Sequence, residues 1–229
     1  MDKFYSRTIG LIGEEGVKLL LRKHVAIFGV GGVGGTCLES LGRSGVGHID
    51  IFDFDDVDES NLNRQICYSF SDIGQNKVLI AYKKMKNINP LCEVSPFNLH
   101  LNEENINSIE FSKYDYVIDC IDETRSKISL IKKCMDKNIK IVSSLGMANR
   151  VDPSKVFITT LDKTFNDPLA KLLRNRLRKD GYPIKKLFVA FSSELPVKNG
   201  TFKGSMMLVP SSSGLNLSYK VLMDLLSFS

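Results

Sequence analysis

The chain has 229 residues, 43% hydrophobic and 25% charged, with 17 Gly and 7 Pro, an ordinary composition for a folded protein with one sizeable core. Its formal net charge of +5 is too small to signal nucleic acid by itself, and no apolar run reaches the roughly 18 residues of a membrane span. Five scattered cysteines, never spaced Cys-x-x-Cys, argue against a disulfide framework or a cysteine-rich zinc site; with no apolar leader after Met1, they predict a cytoplasmic protein.

In chain order, short apolar runs alternate with amphipathic stretches, the pattern of βαβ units. Residues 1–22 predict an N-terminal helix and 23–160 a Rossmann-like nucleotide-binding core. Strands are expected at 25–28, 48–52, 94–98, 114–119, 140–143 and 155–160. Helices are expected at 32–43, 77–88 and 124–137. Asn89-Pro90 ends the second of these, because proline disfavours helical geometry in the residue before it. Residues 161–229 predict a smaller, irregular C-terminal extension for substrate or dimer contacts. It holds a basic helix near 167–179, apolar runs around Phe188 and Met207, and a closing helix at 214–226. The fold class is α/β: a mostly parallel sheet flanked by helices, with right-handed crossovers and ligands at the carboxyl ends of the strands.

Phe28-Gly29-Val30-Gly31-Gly32-Val33-Gly34 places G-x-G-x-x-G after a strand and at the mouth of a helix. Glycines there let backbone amides approach a phosphate, and the helix N-terminus adds partial positive charge. Asp53 lies about 20 positions on, where a carboxylate bonds a ribose hydroxyl. A nicotinamide dehydrogenase would share these features. Three others point to ATP. Arg64, in Asn61-Leu62-Asn63-Arg64-Gln65, offers a guanidinium fork to a triphosphate, though the segment also fits a surface turn capped by Asn61. Lys77, in the first turn of a helix, opposes the helix dipole, which suggests an anionic ligand against the alternative of a solvated lysine. Asp122, in Asp119-Cys120-Ile121-Asp122, suits Mg²⁺ on phosphates, or the N-cap of the next helix. Asp55 is a second candidate for the metal, within five acidic groups spanning residues 53–59.

Together these motifs and Arg7 resemble the ubiquitin-activating-type, ThiF-like superfamily of adenylating enzymes over about residues 7–145. The resemblance implies that Gly29, Gly31, Gly32 and Gly34 line the phosphates and that Asp53 binds ribose. It implies that Asn61, Arg64 and Lys77, with Gln65 in the same motif, contact the triphosphate and that Asp122 serves Mg²⁺. Arg7 would cross a homodimer interface into the partner's ATP site. Within the superfamily, the opening at Arg7 to Val17, the Ile88-Asn89-Pro90 stop, residues 117–124 and residues 167–174 are similar to the tRNA threonylcarbamoyladenosine dehydratase family. The segment from Ser192 to Leu208 is shorter than in longer members and lacks a cysteine they carry. The resemblance implies an enzyme that cyclises the modified adenosine through an acyl-adenylate; the alternative is adenylation of a sulfur-carrier protein's C-terminus. A cysteine-desulfurase or sulfur-acceptor system stays open as a partner.

Lys171, Arg174, Arg176, Arg178, Lys179, Lys185 and Lys186 face only Asp180 within sixteen residues. Such a cluster suits tRNA phosphates or a plain solvated face. Phe165, Tyr182 and Phe188 flank it as candidate stacking or core groups. His24, His48 and His100 are not expected to act as bases.

Overall fold

A computed structural model describes residues 3–197 and 203–227. The first two residues of the predicted N-terminal helix, and residues 198–202 within the shortened segment, lie outside the described residues. Among the described residues seven strands form one sheet: β1 (His24–Phe28), β2 (His48–Asp53), β3 (Glu93–Asn98), β4 (Tyr116–Asp119), β5 (Ile141–Ser144), β6 (Val156–Thr160) and β7 (Phe188–Ser192). Their order is β3-β2-β1-β4-β5-β7-β6. All pairings are parallel except that of β6 with β7. β3 is an edge strand, the one place where Pro96 costs no ladder bond on its outer side.

Helices cover both faces, so the central strands are apolar throughout rather than alternating. Successive side chains still point to opposite faces. Val25 and Ile27 pack with α2 (Gly32–Ser44), α3 (Lys77–Ile88) and α6 (Leu208–Leu226). Ala26 and Phe28 pack with α4 (Thr124–Asp136) and α5 (Pro168–Lys179). At the amino end of the sheet, Asp50 is buried among Tyr114 Oη at 2.7 Å, Lys113 Nζ at 2.7 Å and His24 Nε2 at 3.0 Å.

Helix ends follow local chemistry. α3 spans the expected 77–88 and ends where Asn89-Pro90 predicts. Glu123, not Asp122, caps α4 by accepting from the amides of Arg125 and Ser126, and Asp167 caps α5. In α1 (Ser6–Leu20), Gly13 sits at φ 75°, ψ 166°, so the element is two short helices across a break.

The closing third is more regular than its sequence predicts. The apolar run at Phe188 is β7, inserted between β5 and β6. The closing helix starts at Leu208 rather than 214, with Pro210 in its first turn, where the missing N–H costs nothing. α6 lies so close on α2 that a Cβ on Gly214 would meet Val33 O at 2.4 Å.

Candidate nucleotide site

The glycine loop links β1 to α2 at the carboxyl end of the sheet. Gly29 has φ +89°, and a Cβ there would sit 2.8 Å from Cys120 O, so only glycine lets the loop lie against the β4 exit. A Cβ on Gly34 would meet Gly29 O at 1.8 Å, which closes the turn into the helix. Gly31 is the N-cap of α2 with no side-chain cap, leaving the first-turn amides free for an anion.

Asp53 spans this loop and the next: Oδ2 accepts from Val30 N at 2.8 Å and Oδ1 from Asp55 N at 3.0 Å. Burial pushes its pKa above the ordinary carboxylate value, partly offset by those two amides. Residues 61–65 cross the front of the loop. A Cβ on Gly32 would lie 3.2 Å from Arg64 O and 3.3 Å from Pro210 Cβ, and one on Gly31 3.7 Å from Gln65 Nε2. The crossing is held by Asn61, buried, whose Oδ1 accepts from Asp58 N at 3.2 Å, and by Tyr68 Oη, which donates to Val30 O at 2.8 Å. The half-buried Arg64 donates from Nη1 to Ser60 O at 2.6 Å and Asn63 Oδ1 at 2.9 Å. Gln65 Oε1 is buried with no partner among the described residues, so the wall of the loop keeps an unspent acceptor.

The lysine expected to seek an anion has one inside the protein. Lys77 Nζ lies 2.7 Å from Asp55 Oδ2, with the Lys77 side chain only 6% exposed. Asp122 is exposed and makes no hydrogen bond or ion pair among the described residues. Arg7 is exposed before the Gly13 break, and no such contact ties it to the site of its own chain. Among the described residues no three His, Cys, Asp or Glu side chains gather as a metal centre.

Two buried cations, Lys127 and Arg150, escaped the sequence. Lys127, fully buried, donates to Asp119 Oδ2 at 2.7 Å and Ser144 O at 3.0 Å, joining β4 and β5 behind the loop. Arg150 bonds Ser192 O and lies 3.2 Å from Asp167 Oδ2. The same carboxylate accepts from Gly146 N at 3.2 Å, so the β5 exit loop is tied to α5. An acid eight residues before a lysine was the available sign for Lys127, indistinguishable locally from a solvated helix face.

No cysteine is poised as a nucleophile: burial raises the thiols of Cys37, Cys67 and Cys92 to about 12 and that of Cys120 well above its ordinary value. Of the seven cations on and after α5, Arg174 is tied to Thr164 and Arg176 to Asp180 at 3.0 Å, while Lys171, Arg178, Lys179, Lys185 and Lys186 are exposed. Phe165 packs edge-on against Phe191, Tyr182 Oη donates to Asp136 at 2.9 Å, and Lys220 covers the Phe188 ring.

The ThiF family model matches residues 5–180. The chain is 41% identical to the tRNA threonylcarbamoyladenosine dehydratase of Bacillus subtilis over 97% of its own length and 94% of the relative's. It is 36% identical to the Escherichia coli dehydratase over 77% of its length and 66% of that relative's. The crystal structure of the E. coli enzyme in complex with ATP superimposes with a TM-score of 0.93 at 32% identity, covering 99% of this chain and 95% of that one.

Proposed function

Because the chain belongs to the ThiF family, we propose that it cyclises threonylcarbamoyladenosine in tRNA with loss of water, at the expense of ATP. The observation that carries this is the crossing of residues 61–65 over the glycine loop, which brings the Arg64 backbone and Cγ against Gly32 and the Gln65 side-chain nitrogen against Gly31, beside free helix-end amides. A dinucleotide site has no need of that strap; a triphosphate uses both the amides and the fork.

The threonyl carboxylate attacks the α-phosphorus of ATP and expels pyrophosphate, leaving an acyl-adenylate. A nitrogen or oxygen of the carbamoyl group then attacks the acyl carbon, AMP departs, and a ring closes. AMP is a good leaving group where hydroxide is a poor one, so the two steps replace one difficult dehydration. Catalysis on this scheme needs positioning and charge neutralisation rather than a covalent nucleophile, in keeping with the buried thiols.

The α2 amides at Gly31, Gly32 and Gly34, below the turn at Gly29, would hold phosphate oxygens. Asp53 would take the ribose, and Asn61, Arg64, Gln65 and Lys77 the triphosphate. The free Asp122 carboxylate suits a hard, oxygen-seeking Mg²⁺, with the second oxygen of Asp55 beside Lys77 as a further donor. Mg²⁺ would supply neutralisation of the departing pyrophosphate. Arg7, which makes no hydrogen bond or ion pair among the described residues, would complete the site of the other subunit of a homodimer, and the exposed cations after Asp167 would meet tRNA in the cytoplasm. A sulfur-acceptor partner is not needed for either step.

Incubating the protein with ATP, Mg²⁺ and tRNA carrying the threonylcarbamoyl nucleoside tests this, with digestion and mass spectrometry. The nucleoside mass falls by one water. Arg64→Ala lowers the rate by about 100-fold or more, the scale of one lost charge-stabilising donor. An unchanged nucleoside, with pyrophosphate exchange stimulated by a sulfur-carrier protein instead, would point to a protein substrate.

A further inference from the structure

A groove of about 960 Å³ runs down the flank of the molecule between α4 and α5, outside the nucleotide site. Its walls are the facing stripes of the two helices. α4 contributes Arg125, Ile128 and Lys132, and α5 contributes Leu172, Arg176 and Lys179, spaced three and four apart as one helix face requires, with Ser129 and Lys133 of α4 alongside. Ile106, Ile128 and Leu172 make an apolar floor, with Leu172 45% exposed. Tyr182 closes one end. Five cations form the rim against Glu103 and Asp136, and Asp136 already accepts from the Tyr182 hydroxyl.

Two of these cations are spent: Lys132 and Arg176 both bond Asp180. Lys133 holds only the neutral Asn107, at 2.7 Å. Arg125 and Lys179 are exposed without an anionic partner among the described residues. Arg125 lies three residues beyond Asp122, so the groove opens at the lip of the nucleotide site and continues for the length of α4, whose 13 residues span about 20 Å.

We propose that the α4–α5 groove binds the single-stranded RNA that flanks the reacting adenosine, its phosphates on Arg125, Lys133 and Lys179 and a splayed base over Leu172 and Tyr182. Charge favours RNA over a protein partner: on the rim Arg125, Lys133 and Lys179, which have no anionic partner among the described residues, outnumber Glu103 and Asp136, which have no cationic one. An apolar floor beside them fits the alternation of base and phosphate in an unpaired strand. Continuity with Asp122 supplies the direction, because a strand leaving the groove at Arg125 arrives where the acyl-adenylate would form. None of the residues that carried the expectation of tRNA contact from the sequence lies on α4, so half of this surface is new. The proposal rests on the tRNA substrate proposed above.

The test compares wild type, the double variant R125E/K179E and the charge-matched control K83E/K140E, whose lysines are exposed elsewhere. Measured quantities are tRNA affinity across a salt series, ATP affinity, and a 4-thiouridine crosslink from the anticodon stem–loop. R125E/K179E is expected to weaken tRNA binding by about tenfold or more and to flatten the salt dependence by about 1.4, at about 0.7 per lost phosphate contact. ATP affinity stays at the wild-type value in both variants, the control keeps its tRNA affinity, and the crosslink maps to peptides of α4 or α5. Equal loss in the control, or a crosslink elsewhere, overturns the proposal. Wild-type tRNA binding by R125E/K179E together with weakened binding of polyglutamate would assign the groove to an acidic polypeptide and overturn it too. If wild type removes no water from tRNA, the proposed function itself fails, a result separable from wild-type activity with an indifferent groove.

Discussion

Asp50 shows what a single buried charge can do at the end of the sheet away from the nucleotide. Burial alone would raise its pKa, but hydrogen bonds from Lys113, His24 and Tyr114 outweigh it and hold the carboxyl below its ordinary value. The folded state therefore favours the ionised form. That contribution is fully present above the unfolded pKa and is lost as pH falls through the folded one. Asp50→Asn is expected to unfold at lower urea than wild type near about pH 7, with the gap narrowing as pH drops through and below about 4. Urea midpoints at several pH values would measure it, and a gap that widens in acid would refute the assignment. The Lys127–Asp119 pair, in contrast, was invisible beforehand: its lysine sits in an amphipathic stretch, and only the approach of β5 puts Ser143 and Ser144 where water would be.

Among elements, the break in α1 is the sharpest local instruction. At φ 75°, ψ 166°, Gly13 occupies a backbone region essentially closed to other residues, although a Cβ there would touch nothing within 4 Å. Gly13→Ala is expected to cost about 1–3 kcal/mol by chemical denaturation, purely through the backbone. If the break also aims Arg7, the variant will lose turnover beyond what its residual stability explains. Elements with punctuation were legible to the residue: α3 is ended by Asn89-Pro90, and the glycine loop carries its own strand and helix. β7 was not, since four apolar residues after a basic helix do not say which two strands they will part. The start of α6 lies six residues before the expected 214, and Pro210 is no obstacle because it sits in the first turn. In the site, the strap over the glycines was readable as a motif, whereas the internal partner of Lys77 needed the fold to bring residues 55 and 77 together.

For the whole molecule, the proposed exchange of Arg7 between subunits makes a prediction that single variants cannot. Arg7→Ala and Arg64→Ala should each be inactive as homodimers. Mixed and allowed to exchange, they should recover about a quarter of wild-type activity, because half the dimers then hold one intact site. No recovery, with subunit exchange verified by mass, would place Arg7 within its own chain's site.

The packing of α6 on α2 has a further consequence. Pro210 lies against Gly32, Thr36 Oγ1 donates to Ser211 Oγ at 3.2 Å, and Gly214 admits the backbone of Val33. The phosphate loop is translated early, yet the helix that backs it leaves the ribosome more than 170 residues later. A nascent chain can therefore build much of its sheet while unable to hold nucleotide firmly. Competence for ATP would arrive only once the residues through α6 have been made.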